Sequence, residues 1–456
     1  MYKRIKILLL TLLPFLYFSC DKAATQQQEA PKSTLGFQVE SFFDSLYQRG
    51  QFNGAVLVAD QGNVLFKKGY GIANFESNTP FATSTPMEVA SVSKQFTAMA
   101  VMILKDQGKL TFDDDINRFF TPSLPYSGVK VRHLLTHTSG LPDYEDHFKK
   151  HWPPNSLANN KDIVAYFHEQ RPDISFAPGQ DYHYSNTGYV LLAEIVHQAS
   201  GMPLDKFLNQ YVFQPSGMQH TGFWARDAIF QEKNYAPGFM FNPTEGKYVR
   251  PETLPGKDYY YYLSARLGPG RLSSTVEDLL RWDSVLYTNT LVSEATIQEA
   301  FTPFSIPDKE SDYGFGWHIY QDSTYGKVVY HSGSWAGNLA YIKRYVDANK
   351  TFIILNNNYL RPYSKKIRAA VDSLLCGREY ALPKLSTDLL LQKEIKQLPA
   401  EEIQAWLDQR ADPNHYDINW KRLHKLSQQI EKAGWVDKTK NLNDWIKSHE
   451  PEKDEK

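Results

Sequence analysis

The chain has 456 residues, of which 42% are hydrophobic, 22% charged and 14% aromatic. Such a composition supports a large buried core and excludes a disordered or collagen-like chain. Lysine and arginine number 50 against 51 aspartate and glutamate, a formal net charge of -1, so no overall basic field points to nucleic acid. The two cysteines, Cys20 and Cys376, cannot build a disulfide framework, and no Cys-x-x-Cys offers a zinc site.

At the N-terminus Lys3, Arg4 and Lys6 precede an apolar run over residues 7–18 that breaks at Ser19-Cys20. This is the shape of a secretory signal, and the run is too short for a bilayer-spanning helix, which needs about 20 residues. Cys20 directly after a small residue resembles a bacterial lipoprotein signal, which implies export, cleavage after residue 19 and a lipid anchor on Cys20. An ordinary secretory peptide cut nearby is the plainer alternative. Residues 20–34 lack aromatic and large aliphatic side chains beyond the cysteine and read as a flexible tether.

Residues 37–49 carry helical spacing (Phe37, Phe42, Phe43, Leu46, Tyr47), and two β-rich runs flanking residues 60–63 predict a hairpin. A long helix is expected from Ser91, with Phe96, Met99, Ala100, Ile103 and Leu104 on one face and Gly108 as its C-terminal cap. Further on, Ser274 and Glu277 form a plausible capping box. A second β block covers residues 313–320, 327–331, 339–346 and 351–356, and a helix follows over 361–375. Strands at both ends with helices between them predict an α/β (α+β) fold. Its antiparallel sheet is built from N- and C-terminal segments, is flanked by helices and carries an inserted helical subdomain. The hydrolase-like domain is placed at 35–376, and the denser charge and helical pattern of residues 377–456 mark a small C-terminal helical appendage.

Three short motifs carry chemistry as a set: Ser91-Val-Ser-Lys94, Tyr184-Ser-Asn186 and His331-Ser-Gly333. Each also occurs by chance, at 127–130, 287–289 and 220–222 for example, so context decides. Ser91 and Lys94 lie three apart on the expected helix and project from nearly the same face. A desolvated lysine there has its ammonium form disfavoured and can accept the serine proton. The plainer reading of Ser91 is a helix N-cap beside a solvated Lys94. In the third motif, strand alternation puts residues 331 and 333 on one face. Gly333 is expected to clear that face for a substrate backbone, while the amide of Ser334 points at a developing oxyanion.

On these residues the chain resembles the serine β-lactamase and penicillin-binding-protein superfamily, in its class C-like branch, over about residues 37–376. Residues 133–143, 215–223 and 268–275 are similar to the family as well. The resemblance implies a serine hydrolase that forms an acyl-enzyme on an ester or amide, without a cofactor. It implies Ser91 as nucleophile, Lys94 as its base and Tyr184 as shared base and acid. It further implies that Asn186 binds the substrate amide and fixes Lys94, and that Ser334 contributes to the oxyanion hole. Family members often carry lysine where His331 stands. Histidine is only partly charged at neutral pH, which favours an esterase or D-amino-acid peptidase over a β-lactamase. A D,D-carboxypeptidase or β-lactamase is the alternative within the superfamily, and a catalytically inactive binding member is the alternative outside enzymology. Small-molecule or peptide substrates are the expected partners.

Two other features are set aside. His133 and His137 are spaced i, i+4, yet no Glu follows His133 and no third ligand is evident, so no metal is expected. The tyrosines at 259–262, preceded by Phe239 and Phe241, either wall the cleft or belong to a β-rich insertion packed on itself, and β propensity favours the second.

Overall fold

The computed structural model describes residues 34–307 and 309–451, so the signal-like segment, most of the tether and Cys20 lie outside the described residues. Its centre is a six-stranded antiparallel sheet. The strands are β1 (Gly54–Asp60), β2 (Asn63–Tyr70), β3 (His318–Asp322), β4 (Gly326–Trp335), β5 (Asn338–Tyr345) and β6 (Lys350–Asn356), in the order β3-β4-β5-β6-β1-β2. β1 joins the N-terminal hairpin to the late strands by pairing with β6, Gly54 opposite Asn356.

Alternation along β1 explains the layers. Val56 and Val58 face a core shared with helix α1 (Thr34–Gln48) and the helix that closes the domain, Arg361–Leu375. Ala55, Leu57 and Ala59 face the larger core on the other side, which extends into the inserted helical region. Both faces of the sheet are therefore covered. The late β block differs from expectation at its start, where the strand begins at His318 rather than Tyr313. Gly316 turns the backbone with φ +81, and a Cβ there would sit 2.9 Å from the Gln95 nitrogen.

The spacing in helix α2 (Ser93–Asp106) predicts one buried stripe. Instead every residue from Ser93 to Leu104 is buried, because the sheet packs on one side and inserted helices on the other. The start of the helix Val276–Val285 also differs. Its N-cap is Thr275, which accepts from the Asp278 amide, while Glu277 pairs with Lys67 and Thr83. The last helices, Thr387–Glu394, Ile403–Asp408, Trp420–Lys432 and Val436–His449, enclose a core of their own around Leu391, Leu407, Leu426 and Trp445.

Candidate active site

Ser91 does not cap α2. It sits in a 3-10 turn, Ala90–Val92, ahead of the helix, with no side-chain capping bond. Ala90 is held at φ +48, a conformation that costs a non-glycine residue energy and lifts the next side chain away from the helix axis. Three contacts hold the turn. The Ser93 hydroxyl donates to the Ala90 carbonyl at 2.6 Å, the Leu272 amide donates to that same hydroxyl at 3.2 Å, and the Val89 amide donates to the Leu272 carbonyl at 2.8 Å.

Strand β4 crosses directly over this turn, and here the expectation for Gly333 is corrected. A Cβ on Gly333 would lie 2.1 Å from the Val89 carbonyl oxygen and 3.1 Å from the Ser91 nitrogen. The missing side chain makes room for the turn bearing Ser91, not for a substrate backbone. His331 shares the buried face, while Ser332 and Ser334 are exposed, and Ser334 reaches the cleft. The His331 ring donates or accepts at both nitrogens, Nε2 with the Tyr313 hydroxyl at 2.9 Å and Nδ1 with the Ser332 carbonyl at 2.8 Å. Burial, then the charges of His318 and Lys94, push its basicity well below the ordinary histidine value, so it stands neutral and supplies no cation to a ligand.

Lys94, the second residue of α2, is fully buried. Its Nζ donates to Asn186 Oδ1 at 2.9 Å and to the Pro269 carbonyl at 3.1 Å, and lies 3.3 Å from Ser91 Oγ. Burial lowers its pKa to about 7, against the partly opposing pull of Asp143 and with further lowering by Arg266. Its Nζ also sits 4.7 Å from the centre of the Tyr184 ring. The Tyr184 hydroxyl is buried and makes no hydrogen bond of ordinary length, and Ser91 is the one hydrogen-bonding side chain that eases its ionisation. Burial outweighs that effect and holds the phenol protonated, far above the usual tyrosine range.

Asn186 is the first residue of helix α3 (Asn186–Ser200), whose N-cap is Ser185. Its amide nitrogen in the side chain donates to Glu145 Oε1 at 3.0 Å, and its backbone nitrogen donates to Asp143 Oδ2 at 2.7 Å. Asp143, Glu145, Lys149 and Arg266 thus belong to the site, and no motif pointed to them individually. Glu145 also receives Lys149 at 2.8 Å and Arg266 at 3.2 Å. Burial raises both acids, and at Asp143 the Glu145 charge adds to it. At Glu145 the Arg266 and Lys149 charges win and hold it below the usual range, whereas at Asp143 burial and the Glu145 charge prevail and raise it. The only sequence hint was the stretch 133–143, which ends at Asp143.

Together Ser91, Tyr184, Asn186 and Ser334 line one cleft of about 290 Å³, with Lys94 beneath its floor. Tyr259, Tyr260, Trp335 and Tyr359 supply aromatic wall, and Lys149, Arg266 and Arg361 supply cations. The reading of 259–262 as a self-packed β insertion is corrected: these residues form one helical turn whose first two rings face the cleft. A run of four tyrosines has no periodicity to tell helix from strand. The two histidines spaced i, i+4 do other work than bind a metal. His133 Nδ1 accepts from the Lys130 amide and His137 Nδ1 from the Ser185 amide. Among the described residues no three His, Cys, Asp or Glu side chains gather as a metal site.

Comparisons with known proteins agree with this architecture. Penicillin-binding protein 4* of Bacillus subtilis (strain 168) is 37% identical over 354 residues, covering 77% of this chain and 78% of that protein. The octameric penicillin-binding protein homologue from Pyrococcus abyssi superposes with a TM-score of 0.64 at 28% identity, over 75% of this chain and 78% of that one. The penicillin binding protein from Bacillus halodurans gives 0.63 at 27% identity, over 74% of this chain and 99% of that one. The Beta-lactamase family model matches residues 39–372, and the chain belongs to that family, as a serine hydrolase of the β-lactamase and penicillin-binding-protein superfamily.

Proposed function

We propose that Ser91 is the acylated nucleophile and Lys94 the base that frees it. The observation carrying this reading is a fully buried amine 3.3 Å from Ser91 Oγ, whose proton affinity burial has brought down to about 7. Neutral Lys94 accepts the Ser91 proton as Oγ bonds to the substrate carbonyl carbon. The amides of Ser91 and Ser334 receive the negative oxygen of the tetrahedral intermediate. Because Tyr184 keeps its proton, it serves as a relay rather than a standing base. It delivers a proton to the leaving oxygen or nitrogen and regains one from the water that later cleaves the ester on Ser91, whose departing Oγ takes its proton back from Lys94.

The substrate class is an ester or amide whose acyl group lies along the aromatic wall. The neutral His331 leaves recognition of any carboxylate to Lys149, Arg266 and Arg361, which supports an esterase or D-amino-acid peptidase over fast β-lactam turnover. A fluorophosphonate probe and a fluorescent penicillin provide the test. Both are expected to label the wild-type chain and neither the Ser91→Ala chain, with nitrocefin turned over slowly. Equal labelling of the two chains would remove Ser91 from the mechanism, and rapid nitrocefin turnover would shift the reading to a lactamase.

A further inference from the structure

His137 is only 2% exposed and does not line the cleft, yet it touches all three residues around the Tyr184 ring. Its carbonyl accepts from the His183 amide at 2.9 Å, and its Nδ1 accepts from the Ser185 amide at 3.2 Å. Between those two bonds its imidazole lies against the Tyr184 ring, centroids 4.3 Å apart and planes 36° apart. The backbone at His137 takes φ +60, an uncommon conformation for a side chain of this size and one that persists only where the surroundings enforce it.

What makes this contact matter is the other end of the phenol. The Tyr184 hydroxyl makes no hydrogen bond of ordinary length, and Ser91 is the one hydrogen-bonding side chain that reaches it, so the ring is oriented mainly by its faces and its backbone. Lys94 Nζ approaches that ring at 4.7 Å, and Tyr313 meets it edge-on at 6.3 Å. His137 alone among these holds both the ring and the chain on either side of it. Burial, then the charges of Lys94, His331 and His318, keeps the imidazole neutral, so it adds no repulsion to the amine nearby. Accepting at Nδ1 puts its proton on Nε2, which has no partner among the described residues.

We propose that His137 is a positioning residue for proton relay, acting on Ser91 only through the placement of Tyr184. The inference rests on Tyr184 being the relay. Two substitutions separate its two holds. His137→Asn keeps a short acceptor and tolerates the left-handed backbone but removes the ring. His137→Phe keeps a ring but removes the acceptor. With p-nitrophenyl acetate and the full chain, each is expected to lower kcat roughly 10- to 100-fold, with KM within about threefold. In a Tyr184→Phe background the same two substitutions are expected to change kcat less than about twofold, because the residue they position no longer carries a proton. Reductions that multiply in that background would overturn the proposal, as would wild-type kcat in both single variants. A Tyr184→Phe chain with full kcat would instead bring down the relay reading itself, a result read before any His137 variant is made. The cycle needs only one folded variant, checked by its thermal midpoint, and a general loss of packing would persist in both backgrounds.

Discussion

Lys94 has no carboxylate in contact, and its three partners, Ser91, Asn186 and Pro269, are all neutral. An ammonium in that place is poorly solvated, which is why burial dominates its shift from 10.5 to about 7. Acylation should therefore follow the neutral amine. The rate constant for p-nitrophenyl acetate is expected to fall about tenfold per pH unit below an apparent pKa near 7, and a flat profile from pH 5 to 8 would exclude Lys94 as base. The same shift has a consequence for stability. Between pH 7 and 10.5 the unfolded chain holds a proton on this lysine that the folded chain has lost, so stability from this group rises with pH across that window. Lys94→Met should abolish acylation yet raise the thermal midpoint, most of all below pH 7, with the advantage shrinking toward pH 10; a lower midpoint at pH 6 would refute this. Much of the site at this scale was readable from Ser91, Lys94, Tyr184 and Asn186, whose spacing is local or carried by the family pattern. Glu145 and Arg266 were not, because they meet across 121 residues and neither sits in a periodic or motif context.

Strand β4 and the Ala90–Val92 turn form one unit, and Gly333 is where they touch. A methyl group at 2.1 Å from the Val89 oxygen cannot be accommodated without moving a backbone. Gly333→Ala is expected to cost about 1–3 kcal/mol of stability and, by displacing the turn, to lower kcat/KM about 100-fold. Ser332→Ala, on the exposed face one residue earlier, should leave both within about twofold. Unchanged activity in Gly333→Ala would mean that the strand does not set the position of Ser91. Periodicity made the elements with one wet face legible: α1 and the closing helix Arg361–Leu375 lie where the pattern puts them, and the turn at residues 60–63 marks the hairpin β1–β2 although β1 is buried on both faces. It misread those whose surroundings are not half water. Helix α2 is apolar-facing on all sides, and the tyrosine turn has its rings divided between core and cleft.

Across the whole molecule, sequence order hid the assembly of the sheet more than its existence. Two β blocks separated by some 250 residues suggested a single sheet, but the pairing of β1 with β6 is decided by packing on both faces and leaves no local trace. The C-terminal helices pose the opposite case, since their core closes without the rest. Leu426, Leu423, Leu442 and Ile430 are fully buried among themselves, whereas the links to the hydrolase domain are hydrogen bonds and two partly exposed apolar contacts, Leu389 against the α1-side core and Tyr380 edge-on to Phe42 at 5.5 Å. Gln51 Nε2 donates to the Pro383 carbonyl at 2.9 Å, the Ser386 amide to the Tyr363 hydroxyl at 2.9 Å, and Lys396 Nζ to the Glu245 carbonyl at 2.8 Å. A few hydrogen bonds, each worth about 1 kcal/mol net, and two partly exposed apolar contacts couple the two cores only weakly. Leu426→Ala should therefore cost about 2–5 kcal/mol and lower a C-terminal unfolding transition in calorimetry, while the main transition and kcat stay within error. If instead the whole chain melted earlier in one step and kcat fell with it, these links would be transmitting the loss. The Lys396 bond to the hairpin Met240–Asn242 and Lys247–Val249, ahead of the tyrosine wall, would then be the first contact to cut.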